Sequence, residues 1–170
     1  MLPAATARLC FREMTEDDLD AMAALLGDPA VMTYYSAPKT REQALAWITW
    51  NQANYAAHGY GLWLMRTRDG EFVGDCGLTW QRVGGTPMLE VGYHVRAALQ
   101  GRGYATEAAA ACRDLAAGSI GVDSLAAIIH PQNVASRRVA EKIGMAHRID
   151  DRSPSGELRT VMGMRLQPSP

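Results

Sequence analysis

The stretch from Gly61 to Val95 limits what this chain can fold into more than any other. "GLWLMRT", "EFVGDCGLTWQ" and "PMLEVGYHV" are three strand-like runs, and only the turn "RDG" and the pair Gly84 and Gly85 separate them. Connections this short cannot carry the chain back to the edge it left, so the three strands run antiparallel as a meander. Every other element has to pack against that sheet or extend it.

Upstream, "RLCFREM" alternates, with Leu9 and Phe11 on one side, and reads as a further strand. Thr15 and Asp18 form a capping box ahead of Leu19, Met22, Ala23 and Leu26, which recur at helical spacing. A short helix or turn from Pro29 to Tyr35 leads to a second box, Thr40 with Gln43. That box opens a helix bearing Ala44, Trp47, Ile48 and Tyr55, which ends near His58 and Gly59. After the meander the pattern predicts a helix from about Tyr104 to Ala117, a strand at "LAAIIH" and a helix from about Asn133 to Ile143 stopped by Gly144. Two strands, "AHRID" and "RTVMGMRL", close the chain around the polar loop "DRSPSGEL", and the tail "QPSP" is expected to fray.

Composition narrows the partners. A chain of 170 residues is the size of one domain, and 48% hydrophobic residues with 21% charged residues suits a globular protein with one substantial core. The net charge of -1, with Lys and Arg scattered among acids, argues against nucleic acid. Cys10, Cys76 and Cys112 are widely spaced and show no CxxC pattern, which argues against a disulfide framework or a zinc site and fits a reducing cytoplasm. No apolar run is long enough to span a bilayer, and the N-terminus lacks the basic start of a secretion signal. We expect a cytoplasmic protein, a monomer or homodimer, that binds a small or peptide partner, no membrane and no metal.

The segment "LQGRGYATEA" sits between the last meander strand and the following helix. A P-loop is excluded because no GK[ST] ending is present. A dinucleotide fingerprint fails because Thr106 stands where the third glycine belongs and the preceding strand is part of a meander. Gln100, Gly103 and Ala105 satisfy [Q/R]xxGx[G/A], and glycines at a helix start let an anion approach main-chain N–H groups that the helix leaves unpaired. Gln100, Gly101, Arg102, Gly103, Tyr104, Ala105 and Thr106 are therefore candidate phosphate-binding residues.

This pattern resembles the acyl-CoA pyrophosphate motif of the GNAT superfamily of N-acetyltransferases. Three further stretches carry the resemblance: "NVASRRVAEKIGM", similar to the "NxxSxRVxEKxGF" form of the RimJ/RimL-type branch, "ATARLCFREMTEDDLDAM" and "LEVGYHV". Residues 1–170 then read as a single such domain. The resemblance implies an α+β three-layer GNAT fold: a mixed, mostly antiparallel sheet of about seven strands, helices on both faces, and an acyl-CoA cleft between the fourth and fifth strands. It implies acetyl-CoA as co-substrate and a primary amine as acceptor, such as a protein N-terminus, an amino acid or another small amine.

The resemblance also suggests roles. Main-chain groups of Tyr93, His94 and Val95 would hold the pantetheine arm and the thioester oxygen, although alternate side chains there also suit core packing. Glu90 would receive the amine proton through water, a task set by an amine pKa of about 8; a solvent-facing or salt-bridged acid is the plainer reading. His94 is a weaker base candidate, more simply a strand-surface or hydrogen-bonded histidine. Asn133 is an N-cap that the motif also places on the pantetheine amides, and Ser136 lies one turn on, near the sulfur. The family often has a tyrosine acid where this chain has Ala140, so Ser136 or water is left to protonate the thiolate, or the chain is a catalytically silent acyl-CoA-binding module. Tyr34, Tyr35 and Trp80 are candidate linings of the acceptor side.

Overall fold

Seven strands share one sheet. They are β1 (Leu9–Arg12), β2 (Leu62–Thr67), β3 (Phe72–Val83), β4 (Thr86–Val95), β5 (Ser124–Ile129), β6 (Ala146–Arg152) and β7 (Leu158–Arg165), in the order β1-β2-β3-β4-β5-β7-β6. The computed structural model describes residues 1–166, so the fraying expected of "QPSP" lies outside the described residues. The meander is as the short turns required: β3 and β4 pair antiparallel from Gly74 opposite Val95 to Val83 opposite Thr86. Among the described residues only β4 and β5 pair in parallel. A parallel pair needs a crossover, and the helix α3 (Tyr104–Leu115) supplies it.

Alternation along β2 assigns the helices to the two faces. Leu62 and Leu64 pack with Met22, Leu25 and Leu26 of α1 (Leu19–Leu26) and Ile48 of α2 (Arg41–His58). Trp63 and Met65 point the other way, into a core with Ala108, Ala109 and Cys112 of α3 and Ala140 of α4 (Val134–Lys142). The small residues of α3 let it lie close to the sheet, and the buried sulfurs of Cys76 and Cys112 come within 3.6 Å as free thiols. No helix among the described residues is long and apolar enough to cross a membrane.

Local signals act where the sequence placed them, with two differences. The Gln43 N–H donates to Thr40 Oγ1 at 3.3 Å and the Thr40 N–H to Gln43 Oε1 at 2.8 Å, so the second capping box starts α2. At the first box the Thr15 N–H donates to Asp18 Oδ2 at 2.9 Å, but the bond closes a single tight turn, Glu16–Asp18, before α1 begins. The α3 helix does not stop near Ala117; it runs on through a wide turn, Ala116–Ile120, to Gly121.

The feature that makes a site is the β4–β5 pair. The two strands share one paired position, Glu90 opposite Ala126. Beyond it β4 continues to Val95 and β5 to Ile129, so the sheet splits there.

Candidate active site

The split opens a cleft of about 430 Å³, bordered by β4, the start of α3 and the exposed side of α4. A smaller cavity of about 130 Å³ adjoins it and reaches back to Glu90 and Ile128. The two share Tyr34, Tyr35, Tyr93, Asn133 and Ser136, which therefore stand at their junction.

One wall is the β4 backbone. The Arg96 N–H donates to Val73 O at 2.9 Å, toward β3. Main-chain groups alternate in direction along a strand, so those of Tyr93 and Val95 turn to the split instead. The Gln100 side-chain amide reaches one of them, donating to Val95 O at 3.0 Å and tying the following loop to β4.

That loop presents the first turn of α3. Gly101 and Gly103 have φ of +76° and +85°, left-handed values that glycine adopts without strain. They bring the chain into α3 with the N–H groups of its first turn directed at the cleft, where the helix dipole favours an anion. Gln100, Gly101, Gly103, Tyr104, Ala105 and Thr106 all line it. Arg102 does not; its carbonyl accepts from Arg8 Nη1 at 2.9 Å. Arg8 also meets Glu107 at 2.6 Å and lies 4.6 Å from the Tyr104 ring centre, so β1's neighbouring segment clamps the loop from behind.

The opposite wall is α4. Asn133 Oδ1 accepts the Ser136 N–H at 3.0 Å as an N-cap, which leaves its NH2 group free for other partners. Tyr93 ties this wall to β4, its hydroxyl donating to Ser136 O at 3.1 Å. Arg138 and Lys142 border the outer cleft.

Glu90 sits at the point of the split. Ile128, two residues past the shared rung on β5, donates its N–H to Glu90 Oε1 at 3.2 Å. Burial pushes the Glu90 pKa up to about 7, against the opposing pull of the Ile128 N–H, Arg159 and His94. Glu90 forms no salt bridge among the described residues. The plainer expectation of a solvent-facing or paired acid is therefore corrected: the strand split gives its carboxylate a main-chain donor in a partly enclosed cavity.

Of the two plain readings of His94, the structure has the hydrogen-bonded histidine and not the surface one. It is 7% exposed, with Nδ1 2.7 Å from Asp75 Oδ1 and Nε2 2.8 Å from the Tyr35 hydroxyl. Asp75 is fully buried; its Oδ1 also accepts the His94 main-chain N–H at 3.1 Å, and its Oδ2 accepts the Trp47 indole N–H at 2.9 Å. Asp75, Trp47 and Arg8 were not singled out from the sequence as site residues. An acid inside the apolar run "FVGDCGL" was the available signal for Asp75.

Of the expected acceptor-side residues, Tyr34 and Tyr35 line both cavities, and the Tyr34 ring stacks on His130 at 5.3 Å. Trp80 lines neither. Its indole N–H donates to the Tyr60 hydroxyl at 2.8 Å; by alternation along β3 it shares the α3 face of the sheet with Cys76 and Leu78, opposite the face that carries Asp75 and Thr79, the partners of His94 and Glu90.

A mixed seven-stranded sheet that splits between its fourth and fifth strands, with a glycine-led helix start aimed into the split, defines an acyltransferase of the GNAT fold. The chain belongs to that family: the family described as acetyltransferase (GNAT) domain matches residues 8–146. The chain is 43% identical over 142 residues to the uncharacterized protein YkkB of Bacillus subtilis (strain 168), covering 82% of this chain and 83% of YkkB. The crystal structure of an acetyltransferase from Agrobacterium tumefaciens strain C58 superposes with a TM-score of 0.84 at 27% identity, over 96% of this chain and 94% of that one. RimL, the ribosomal L7/L12 alpha-N-protein acetyltransferase, solved in complex with coenzyme A, shares the fold with a TM-score of 0.81 at 14% identity, over 99% of this chain and 100% of that one.

Proposed function

We propose that this chain, acting as one domain, transfers the acetyl group of acetyl-CoA to a primary amine on a small molecule or a peptide N-terminus. The observation that carries this reading is the join of two cavities at the split. One is long and ends at a helix start suited to an anion; the other is small and holds Glu90. Acetyl-CoA would lie in the larger cleft, pyrophosphate on the first turn of α3 and pantetheine between β4 and Asn133. The thioester oxygen would meet the main-chain N–H groups that Tyr93 and Val95 turn to the split, the donors that stabilise the oxyanion. Ser136 stands beside the sulfur.

The amine enters from the Tyr34 and Tyr35 side and attacks directly in a ternary complex. Glu90, poised near neutrality, removes the ammonium proton through water. The RimJ/RimL-type branch is consistent with "NVASRRVAEKIGM" and with the RimL likeness, and it favours an α-amino group as acceptor. A screen that follows release of the CoA thiol over free amino acids, polyamines and short peptides with different N-terminal residues tests the reading. Amine-dependent release supports it. Tight acetyl-CoA binding without release from any amine would instead favour a silent acyl-CoA-binding module.

A further inference from the structure

A second hydrogen-bonded line of titratable groups leads inward from the junction of the two cavities, where Tyr35 lies. Tyr35 comes from the segment after α1, His94 from β4 and Asp75 from β3, and the three are joined by contacts of 2.8 and 2.7 Å. Asp75 already accepts from the His94 main chain and from Trp47, so its carboxylate is held in place by donors on both oxygens. An acceptor at that position puts the ring proton on Nδ1. In that tautomer Nε2 is an acceptor and the Tyr35 O–H its donor. A buried histidine paired with Asp75 satisfies ordinary structural needs without a third partner. Yet Tyr35, half exposed as a residue, turns its hydroxyl inward to a place where both cavities meet.

We propose that Tyr35, His94 and Asp75 form a proton shuttle for the transfer, in which the Tyr35 hydroxyl is a catalytic group between the attacking nitrogen and the departing sulfur. His94 and Asp75 are positioning residues behind it. The proposal rests on the acetyltransferase reading above and assigns a task that Glu90 does not perform.

The proton balance requires two transfers. An ammonium loses two protons on becoming an amide; Glu90 takes the first, before attack. Formation of the N–C bond moves the thioester's π electrons onto oxygen and leaves a surplus proton on nitrogen. The Tyr35 oxygen accepts that proton while its own passes to His94 Nε2, and the Asp75 carboxylate faces the resulting imidazolium. When the carbonyl reforms, the C–S bond breaks and its electron pair goes to sulfur. The shuttle then runs backward: His94 returns its proton to Tyr35, which delivers one to the sulfur. The amide, a free thiol and the neutral imidazole result, the proton on Glu90 returns to water, and no further reactant is consumed. Desolvation around the hydroxyl, with the negative charges of Asp75 and Glu90 nearby, holds the Tyr35 pKa above its ordinary value. The side chain therefore remains a neutral phenol that relays protons rather than a standing phenolate.

The test uses the full chain, acetyl-CoA and the best amine from the thiol-release screen, with Tyr35→Phe, His94→Gln and the double variant. General acid–base contributions of this kind predict a loss in kcat on the order of 100-fold for each single variant, with KM for acetyl-CoA nearly unchanged. Because the residues act as one unit, the double variant is no slower than the slower single. Tyr35→Phe, at a half-exposed position, is the variant that decides. Near wild-type kcat in Tyr35→Phe, or losses that multiply in the double variant, would overturn the shuttle while leaving the acetyltransferase reading intact. A wild-type chain with no amine-dependent release would remove both.

Discussion

The Glu90 carboxylate accepts the main-chain N–H of Ile128 at 3.2 Å, just beyond the one position where β4 and β5 pair. A side chain has taken the place of a ladder bond. The same contact terminates the sheet's continuity and fixes an acid at the head of the cleft, so structure and proposed chemistry depend on one residue.

The first prediction concerns rate. With a pKa of about 7 in the free protein, Glu90 is converted to its basic form as pH rises through neutrality. The pH profile of kcat/KM should therefore show a rising limb near 7. Glu90→Gln should remove that limb and lower kcat/KM at neutral pH on the order of 100-fold, with acetyl-CoA affinity by calorimetry nearly intact. An unchanged rate at every pH would reject the role.

The second concerns stability, where the sign follows from the direction of the shift. Folding raises the Glu90 pKa from 4.5 to about 7, so the folded chain holds this proton more tightly than the unfolded one. Its contribution is complete below 4.5 and is lost as pH rises through about 7. The loss amounts to at most about 3 kcal/mol. Glu90→Gln keeps an oxygen for the Ile128 N–H and cannot ionise. Urea midpoints of the wild type should fall between pH 5 and 8 more than those of Glu90→Gln, and parallel curves would count against a desolvated carboxylate.

Asn133 separates capping from binding. Asn133→Asp keeps an oxygen that accepts the Ser136 N–H, so stability should change little; Asn133→Ala loses the cap, about 1 kcal/mol. Both remove the NH2 group of a residue that lines the cleft, so both should weaken coenzyme A binding. Full affinity in Asn133→Asp would confine the residue to capping.

Gly103 tests the anion site. A side chain at its φ of +85° is strained by about 1 to 2 kcal/mol, and an added Cβ would stand 3.4 Å from the Arg8 guanidinium. Gly103→Ala should weaken coenzyme A binding by roughly tenfold or more. Binding of a dephosphorylated pantetheine fragment should fall much less, which titration calorimetry distinguishes. Equal losses for both ligands would mean that the loop has collapsed rather than lost its grip on phosphate.

What was legible in the chain was what is local. Thr40 with Gln43, the turn at Gly84 and Gly85, and the glycines ahead of Tyr104 act on residues a few positions away, so their patterns survive in one dimension. The Tyr35–His94–Asp75 line was not legible as a unit. Its members are separated by 59 and 19 positions, and they meet only because β3 and β4 pair in a register that sets Asp75 opposite His94. Trp80 misled for the same reason. Alternation along a strand sorts its residues into two faces but does not say which face the acceptor side will use; Trp80 sits next to the residue paired with Glu90 yet on the other face, and the Tyr60 hydroxyl that holds it lies on another segment.

A sheet that splits part-way carries two unpaired margins inside the molecule, and unpaired margins are where foreign strands add and aggregates start. Here the margins of β4 and β5 diverge from a rung at Glu90 and are walled by α3 and α4, so no outside strand can lie flat against either. A slender, linear guest that supplies its own amide groups can. On the proposed acetyl-CoA reading, the enclosure that keeps the protein from pairing with its neighbours is thus also a filter: it favours a single extended arm over a paired ribbon.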